Sequence, residues 1–360
     1  VFTLNLSLYI KVIKKLPQER FMNSLLHYWP SPSSEEVAPS AIEFLQALPG
    51  PTHIYIPGRD GSRCRAVVAL LHGNEPSGFM AIHALLRQDI KPAVDTHFFI
   101  ASVAAARARP LFFYRMLPGE RDLNRCFRPP FDNNAQSQLA KAMLDKLRAL
   151  KPEAIIDVHN TSGAGPSFGV AVYMDAQHEA LVSLFSHRLV ITDLVLGSVM
   201  ELTETLCPTV TIECGGAKDE ESNRVALIGM TQFVGLEDVL NLAPDNIAME
   251  FFRHPLRLEL QEGAAISYGI QPLAINGINL LPDVEHLNFN YVEPRTPLGF
   301  ITGELETVLR ACSNTGEDNL QHYFQVEDKQ LLARLRMKFF MVTNNPEIAR
   351  TDCLLYFVPA

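Results

Sequence analysis

Apolar runs closed by polar punctuation recur along the first two thirds of the chain, at 66–71 (AVVALL), 97–102 (HFFIAS), 154–158 (AIIDV), 170–174 (VAVYM) and 209–212 (TVTI). Runs that are apolar at nearly every position predict strands covered on both faces. Between several of them the period lengthens to that of a helix, at 77–86 behind Pro76, at 137–150 and at 176–189. Strand-then-helix alternation predicts an α/β domain. Residues 28–50 read as a Pro/Ser-rich lead-in followed by a short amphipathic helix. Beyond about residue 245 the runs shorten and Gly/Pro punctuation takes over, which predicts a smaller β-rich domain. A final helix is expected at 329–338 and a terminal strand at 353–358. The expected division is an N-terminal extension over 1–45, a catalytic domain over 46–245 and a β-rich domain over 246–360.

Composition narrows the classes. A chain of 360 residues suggests about two domains. With 47% hydrophobic and 20% charged residues, it can bury a large core. The balance of 31 basic against 40 acidic residues, net −9, comes without a Lys/Arg cluster, so nucleic acid is not an expected partner. A small-molecule substrate is expected instead, and homo-oligomers are compatible with the sequence. The apolar stretch in VFTLNLSLYIKVIKK is shorter than the ~20 residues that cross a bilayer. It also makes a poor signal peptide, because its basic residues follow the apolar run. No membrane partner is expected, and the functional protein is expected to start near Met22, leaving 1–21 as upstream sequence. Six cysteines at 64, 126, 207, 214, 312 and 353 form no C-x-x-C pair, a pattern that reads as reduced thiols in a cytoplasm.

The chemistry lies at the ends of three runs. AVVALL ends in His72-Gly73-Asn74-Glu75, AIIDV in His159, and TVTI in Glu213. Open α/β sheets build ligand sites beyond the carboxyl ends of their strands. A catalytic zinc takes three His or carboxylate ligands and keeps a position for water. His72 and Glu75, on a turn opened by Gly73, can face one centre that His159 completes, with Glu213 placed as general base. Spacing alone leaves a second reading open, in which each strand-end histidine is a hydrogen-bonded structural residue.

Four strings in order, HGNEPSG (72–78), RDLNRCF (121–127), DVHNTSG (157–163) and IECGG (212–216), resemble the succinylglutamate desuccinylase/aspartoacylase family, related to zinc carboxypeptidases. DVEHLNF (283–289) looks like that family's second domain. The resemblance implies a zinc-carboxypeptidase-like mixed central sheet flanked by helices. It implies one zinc on His72, Glu75 and His159, with Glu213 as the catalytic carboxylate. Asn124 and Arg125 match the pair that grips a substrate carboxylate, and Arg115 is the counterpart of the oxyanion-stabilising arginine, with Arg121 and Arg107 as competitors. Asp157 would orient His159. The implied activity is hydrolysis of the amide bond of a small N-acyl amino acid or similar carboxylate-bearing amide; the alternative is a carboxypeptidase acting on short or modified peptides. One departure matters: aspartoacylase-like members carry an arginine about ten residues before the base, and ELTETLCPTV (201–210) has none.

A rival motif, GPSFG at 165–169, matches the serine-hydrolase elbow. That elbow needs a strand before its serine and a helix after it, whereas a small-residue loop precedes Ser167 and a strand-like run follows. His83 falls about three helical turns from His72 and should point elsewhere.

Overall fold

The computed structural model describes residues 25–242, 248–313, 319–351 and 353–360; the expectation for 1–21 lies outside them. Nine strands form the larger sheet: β1 (His27–Pro30), β2 (Thr52–Ile56), β3 (Asp60–Ala69), β4 (Val94–Ile100), β5 (Ile155–Thr161), β6 (Phe168–Ala171), β7 (Arg188–Ile191), β8 (Thr209–Gly216) and β9 (Glu250–Arg253). Their spatial order is β1-β2-β4-β3-β5-β8-β6-β7-β9. At the centre β3, β5 and β8 are parallel neighbours, while β2 runs antiparallel to β4 and β6 antiparallel to β8. The sheet is therefore mixed, as expected.

Helices α1 (Ala41–Ala47), α2 (Ser77–Arg87), α3 (Ala135–Leu150), α4 (Ala176–Ser183) and α5 (Glu220–Gly235) cover this sheet. One apolar cluster joins Phe79 and Phe233 of α2 and α5 to Val67, Ala69, Ile156 and Val158. Another joins Met143 and Leu147 of α3 to Ala66, Val68 and Ile155. Alternate residues of β3 and β5 thus serve opposite faces, which is why those runs are apolar throughout. Gly78 lets α2 lie directly on the sheet, since a Cβ there would stand 2.9 Å from Val158 Cβ and 3.0 Å from Ala69 Cβ.

Two five-stranded sheets follow. Their orders run 291–292, 337–340, 355–359, 256–260, 309–312 and 265–268, 277–280, 297–302, 330–333, 324–327. A common core that includes Leu258, Ile278, Leu331, Phe339 and Phe357 joins them. The β-rich character and the terminal strand match expectation. The helix expected at 329–338 does not form: Gln330–Ala333 and Met337–Phe340 are strands. Asp328 and Lys329 both have positive φ, 46° and 65°, and make the two-residue turn of a hairpin in which Glu327 pairs with Gln330. Leu331, Leu332 and Ala333 are all buried, so burial on both faces imitated a helical period. The helix expected at 176–189 stops at Ser183, because Arg188–Ile191 is drawn into the sheet between β6 and β9. No described helix is long and apolar enough to cross a membrane.

At the β2–β4 edge, His53 Nε2 lies 2.9 Å from His97 Nδ1, and the His53 ring stacks on Phe99 at 4.5 Å. Burial, the His97 ring and Lys146 push His53 down to about 3; burial and Lys146, against Asp95, push His97 down to about 4. Both rings are neutral when folded, whereas unfolded histidine titrates near 6.5. Stability from this pair is therefore complete above about pH 6.5 and declines as pH falls toward 4. From pH 7 to 5 the two sites together should cost about 2–4 kcal/mol. Urea melts of the parent and of His53→Gln/His97→Gln should show the parent losing more stability across that interval; equal losses would refute this account.

Candidate metal centre and active site

The turn carrying His72 and Glu75 is set by its surroundings. β3 ends at Ala69 and Leu70 takes a φ of 58°, an uncommon value for a branched residue, which swings the chain off the sheet. Ser102 holds this exit: its N–H donates to Leu70 O at 2.7 Å and its hydroxyl to Leu71 O at 2.7 Å. Gly73 N–H donates to Arg115 O at 2.8 Å, and a Cβ at Gly73 would stand 2.6 Å from Ala105 Cβ and 2.7 Å from Tyr114 O. Only glycine fits between the turn and the Arg115 segment. Asn160 ties the start of α2 to β5: it accepts from Ser77 N–H at 3.0 Å and donates to Ser77 Oγ at 2.9 Å and Gly215 O at 3.0 Å.

His159 and Glu213 arrive on the central parallel strands, where they are direct partners across the β5–β8 ladder. The sheet thus brings His72, Glu75 and His159 together: one ligand atom from each lies within 4.8 Å of the others, and all three residues are buried. Glu75 sits between the rings, with Oε1 2.8 Å from His72 Nδ1 and Oε2 2.6 Å from His159 Nδ1. The opposite ring nitrogens face other carboxylates, His72 Nε2 at 2.9 Å from Asp122 Oδ1 and His159 Nε2 at 2.8 Å from Asp157 Oδ2. This pattern suits a metal ion. Each imidazole turns Nδ1 to a common point while a carboxylate fixes its orientation from behind. Buried Glu213 Oε2 has no hydrogen-bond partner among the described residues, and Glu213 lines the same pocket.

The electrostatics follow from that crowding. Burial and Arg115 would lower His72, but Glu75 and Asp122 raise it on balance; His159 is raised well above its usual value by Asp157 and Glu75 against burial. Burial would raise Glu75, yet the two rings hold it well below the ordinary carboxylate range. Asp122 is likewise held low against burial by His72, Arg115 and Arg125. Glu213 goes the other way: burial pushes it up to about 7, with Glu75 adding and His159 opposing.

Arg115 stands at this centre, donating to Glu75 Oε1 at 3.3 Å and to Asp122 Oδ2 at 2.9 Å. Its competitors lie elsewhere. Arg121 is exposed and pairs with Asp132, while Arg107 reaches Gln46 O at 3.5 Å. Asn124 and Arg125 both line the pocket; Asn124 Oδ1 accepts from Val199 N–H at 3.0 Å, and its Nδ2 is 3.4 Å from His159 Nε2. The far wall comes from the C-terminal sheets and includes Phe340, Met341 and Tyr356. Asn288, within the DVEHLNF string, joins the two parts by donating to Ala164 O at 2.8 Å and Val342 O at 3.1 Å. Ser167 donates to Phe185 O at 3.2 Å and is followed by β6, so the elbow geometry is absent there. His83 meets Ala38 O at 2.8 Å, away from the centre.

The sequence suggests a pocket closed by the C-terminal domain but does not single out Asp122, Asn160 or the wall residues Phe340, Met341 and Tyr356. Asp122 could have been found, because it sits inside the RDLNRCF string beside Asn124.

Fold and site together define a mixed α/β protein with a buried His–Glu–His group, able to hold a metal ion, under a β-rich cover. Residues 64–228 match the family model for the succinylglutamate desuccinylase/aspartoacylase catalytic domain. Among solved structures, the chain resembles a succinylglutamate desuccinylase/aspartoacylase from Rhodobacter sphaeroides, with 16% identity, TM-score 0.52 and 85% and 87% of the two chains covered. It also resembles a succinylglutamate desuccinylase from Vibrio cholerae, with 13% identity, TM-score 0.52 and 82% and 98% covered. Murine aminoacylase 3 is similar at 15% identity and TM-score 0.52, with 84% and 97% covered. At these identities the likeness is one of fold. No curated protein sequence matches the chain.

Proposed function

We propose that this chain is a zinc-dependent amidohydrolase that removes the acyl group from a small N-acyl amino acid or a similar amide bearing a carboxylate. The observation that carries the reading is the convergence of His72, Glu75 and His159 in a pocket that also presents Glu213, Arg115 and Arg125. In this reading the three converging residues hold one zinc. Bound zinc supplies Lewis acidity and brings the pKa of a water to ~7. Glu213 takes the water's proton and passes it to the departing amine. Arg115 faces the oxyanion that develops on the scissile carbonyl, and Asn124 and Arg125 grip the carboxylate. Asp122 and Asp157 hold the two imidazoles by the nitrogens turned away from the centre.

We further propose that the catalytic unit spans 46–245 and the covering unit 246–360, with β1 and β9 adding strands to the catalytic sheet from just outside those bounds. The cysteine pattern supports a cytoplasmic setting. Metal analysis of the purified protein should find about one zinc per chain, lost in His72→Ala, since a zinc site reduced to two protein ligands binds far more weakly. A metal-free parent that still hydrolyses N-acyl amino acids would end the zinc reading. Short peptides in the same assay test the carboxypeptidase alternative.

A further inference from the structure

Beyond the metal centre the pocket changes character. Phe168, Val170 and Val190 line it from β6 and β7, Leu194 and Leu196 from the segment after β7, and Phe340 from the C-terminal sheets. Among the described residues of the lining, the cations other than the two imidazoles are Arg115 and Arg125. Arg115 lies against Glu75 and Asp122. With Arg125 on the substrate's carboxylate, a second carboxylate would meet only apolar walls and neutral hydroxyl residues such as Thr192 and Thr211, with no cation assigned to it, at a large desolvation cost.

These walls are firmly built. Glu201 Oε1 accepts from the backbone N–H groups of Leu196 at 2.7 Å, Gly197 at 2.7 Å and Ser198 at 3.0 Å. Asn124 fixes the next residue, Val199, so the segment lining the pocket is pinned at four successive amides. Opposite, Phe340 packs against Phe252 and Phe289 at centroid distances of 5.1 Å each. A pocket held this way is shaped before the ligand arrives.

We infer that the substrate carries a single carboxylate and an apolar group, aliphatic or aromatic, which this subsite receives; a dicarboxylic substrate is excluded. The inference rests on the reading of Arg125 as the carboxylate's partner and specifies the substrate class for that same site. The apolar group can belong to the amino acid or to the acyl chain, and the test separates the two.

Calorimetry on zinc-loaded Glu213→Gln protein would compare N-acetyl-L-phenylalanine and N-acetyl-L-leucine (apolar side chain), N-hexanoyl-L-alanine (apolar acyl chain), and N-acetyl-L-aspartate and N-succinyl-L-glutamate (second carboxylate). At least one apolar arm should bind about 10- to 100-fold tighter than both dicarboxylates. Leu196→Arg, at a half-buried position, should narrow or reverse that ratio, and Phe340→Ala should weaken the apolar arm alone. Dicarboxylates binding as tightly as the apolar ligands would overturn the inference while leaving the deacylase reading in place if the parent hydrolyses them. Tight apolar binding with no hydrolysis by the parent would sustain the subsite and defeat the deacylase reading. No binding by any ligand would overturn both.

Discussion

Replacing Glu213 with glutamine should lower kcat/KM by about 100- to 10,000-fold while leaving the zinc content unchanged. Glutamine keeps the size and the buried position on β8 but removes the proton acceptor. The three converging ligand residues come from other segments, so nothing in the substitution withdraws a donor from the metal. The carboxylate suits proton transfer near neutrality because burial has already raised it to about 7, while its unpartnered Oε2 faces no competing donor among the described residues. Glutamine's amide cannot take a proton at any pH used in an assay. Metal analysis and steady-state kinetics on the same preparation decide the matter. Undiminished activity removes Glu213 from the mechanism; loss of zinc along with activity makes it a ligand instead of a base.

The meeting of His159 and Glu213 at one end of the sheet was legible in the chain, and the reason is topological. His159 and Glu213 each stand at the end of a mainly apolar, fully buried run, so on parallel strands both emerge at the same end. The turn at 72–75 was equally readable, because Gly73 and Gly78 mark the two places where backbone or helix approaches too closely for a side chain. Choosing among Arg107, Arg115 and Arg121 was not possible from spacing. What places Arg115 at the centre is a hydrogen bond from Gly73 to its carbonyl and the pull of Asp122 and Glu75 on its guanidinium, of which the Gly73 and Glu75 contacts are long-range.

Other features were hidden for identifiable reasons. β1 and β2 contain two histidines, two tyrosines, a tryptophan and a proline in place of an aliphatic run, and they hold the sheet edge through ring packing such as His53 on Phe99. The hairpin at 324–333 presents leucines to both faces and so carries no period of two. The apolar wall at Phe340 and Tyr356 lies far along the chain from the motifs, and no local signal links them. The packing of Phe289 on Phe168 of β6 and on Phe340, together with the bond from Asn288 to Ala164 O, makes them neighbours of the site.

Arg65→Ala should destabilise the catalytic sheet by about 3–5 kcal/mol, the range seen when one partner is removed from a buried charge pair. Arg65 lies in β3 and is completely buried. Its Nε donates to Glu153 at 2.6 Å, and its terminal nitrogens donate to Phe233 O at 2.6 Å, Leu236 O at 2.7 Å and Glu237 O at 2.9 Å. Those carbonyls belong to the end of α5 and the residues just beyond it, where the helix leaves acceptors without intrahelical donors and a cation is favoured. Alanine would strand three carbonyls and leave Glu153 to its exposed contact with Arg63. Lysine should recover only part of the loss, since one ammonium cannot span acceptors arrayed around a planar guanidinium. The chain's single tryptophan, Trp29, lies in β1 of the same sheet and reports its unfolding in urea. α5 also reaches the site, with Ser77 Oγ at the start of α2 donating to Asn223 Oδ1 at 2.8 Å. Activity in Arg65→Ala should therefore decline at a lower urea concentration than in the parent, in step with the Trp29 signal. A loss smaller than about 1 kcal/mol would mean that water replaces the guanidinium at no great cost, and that α5 is held by its apolar face alone.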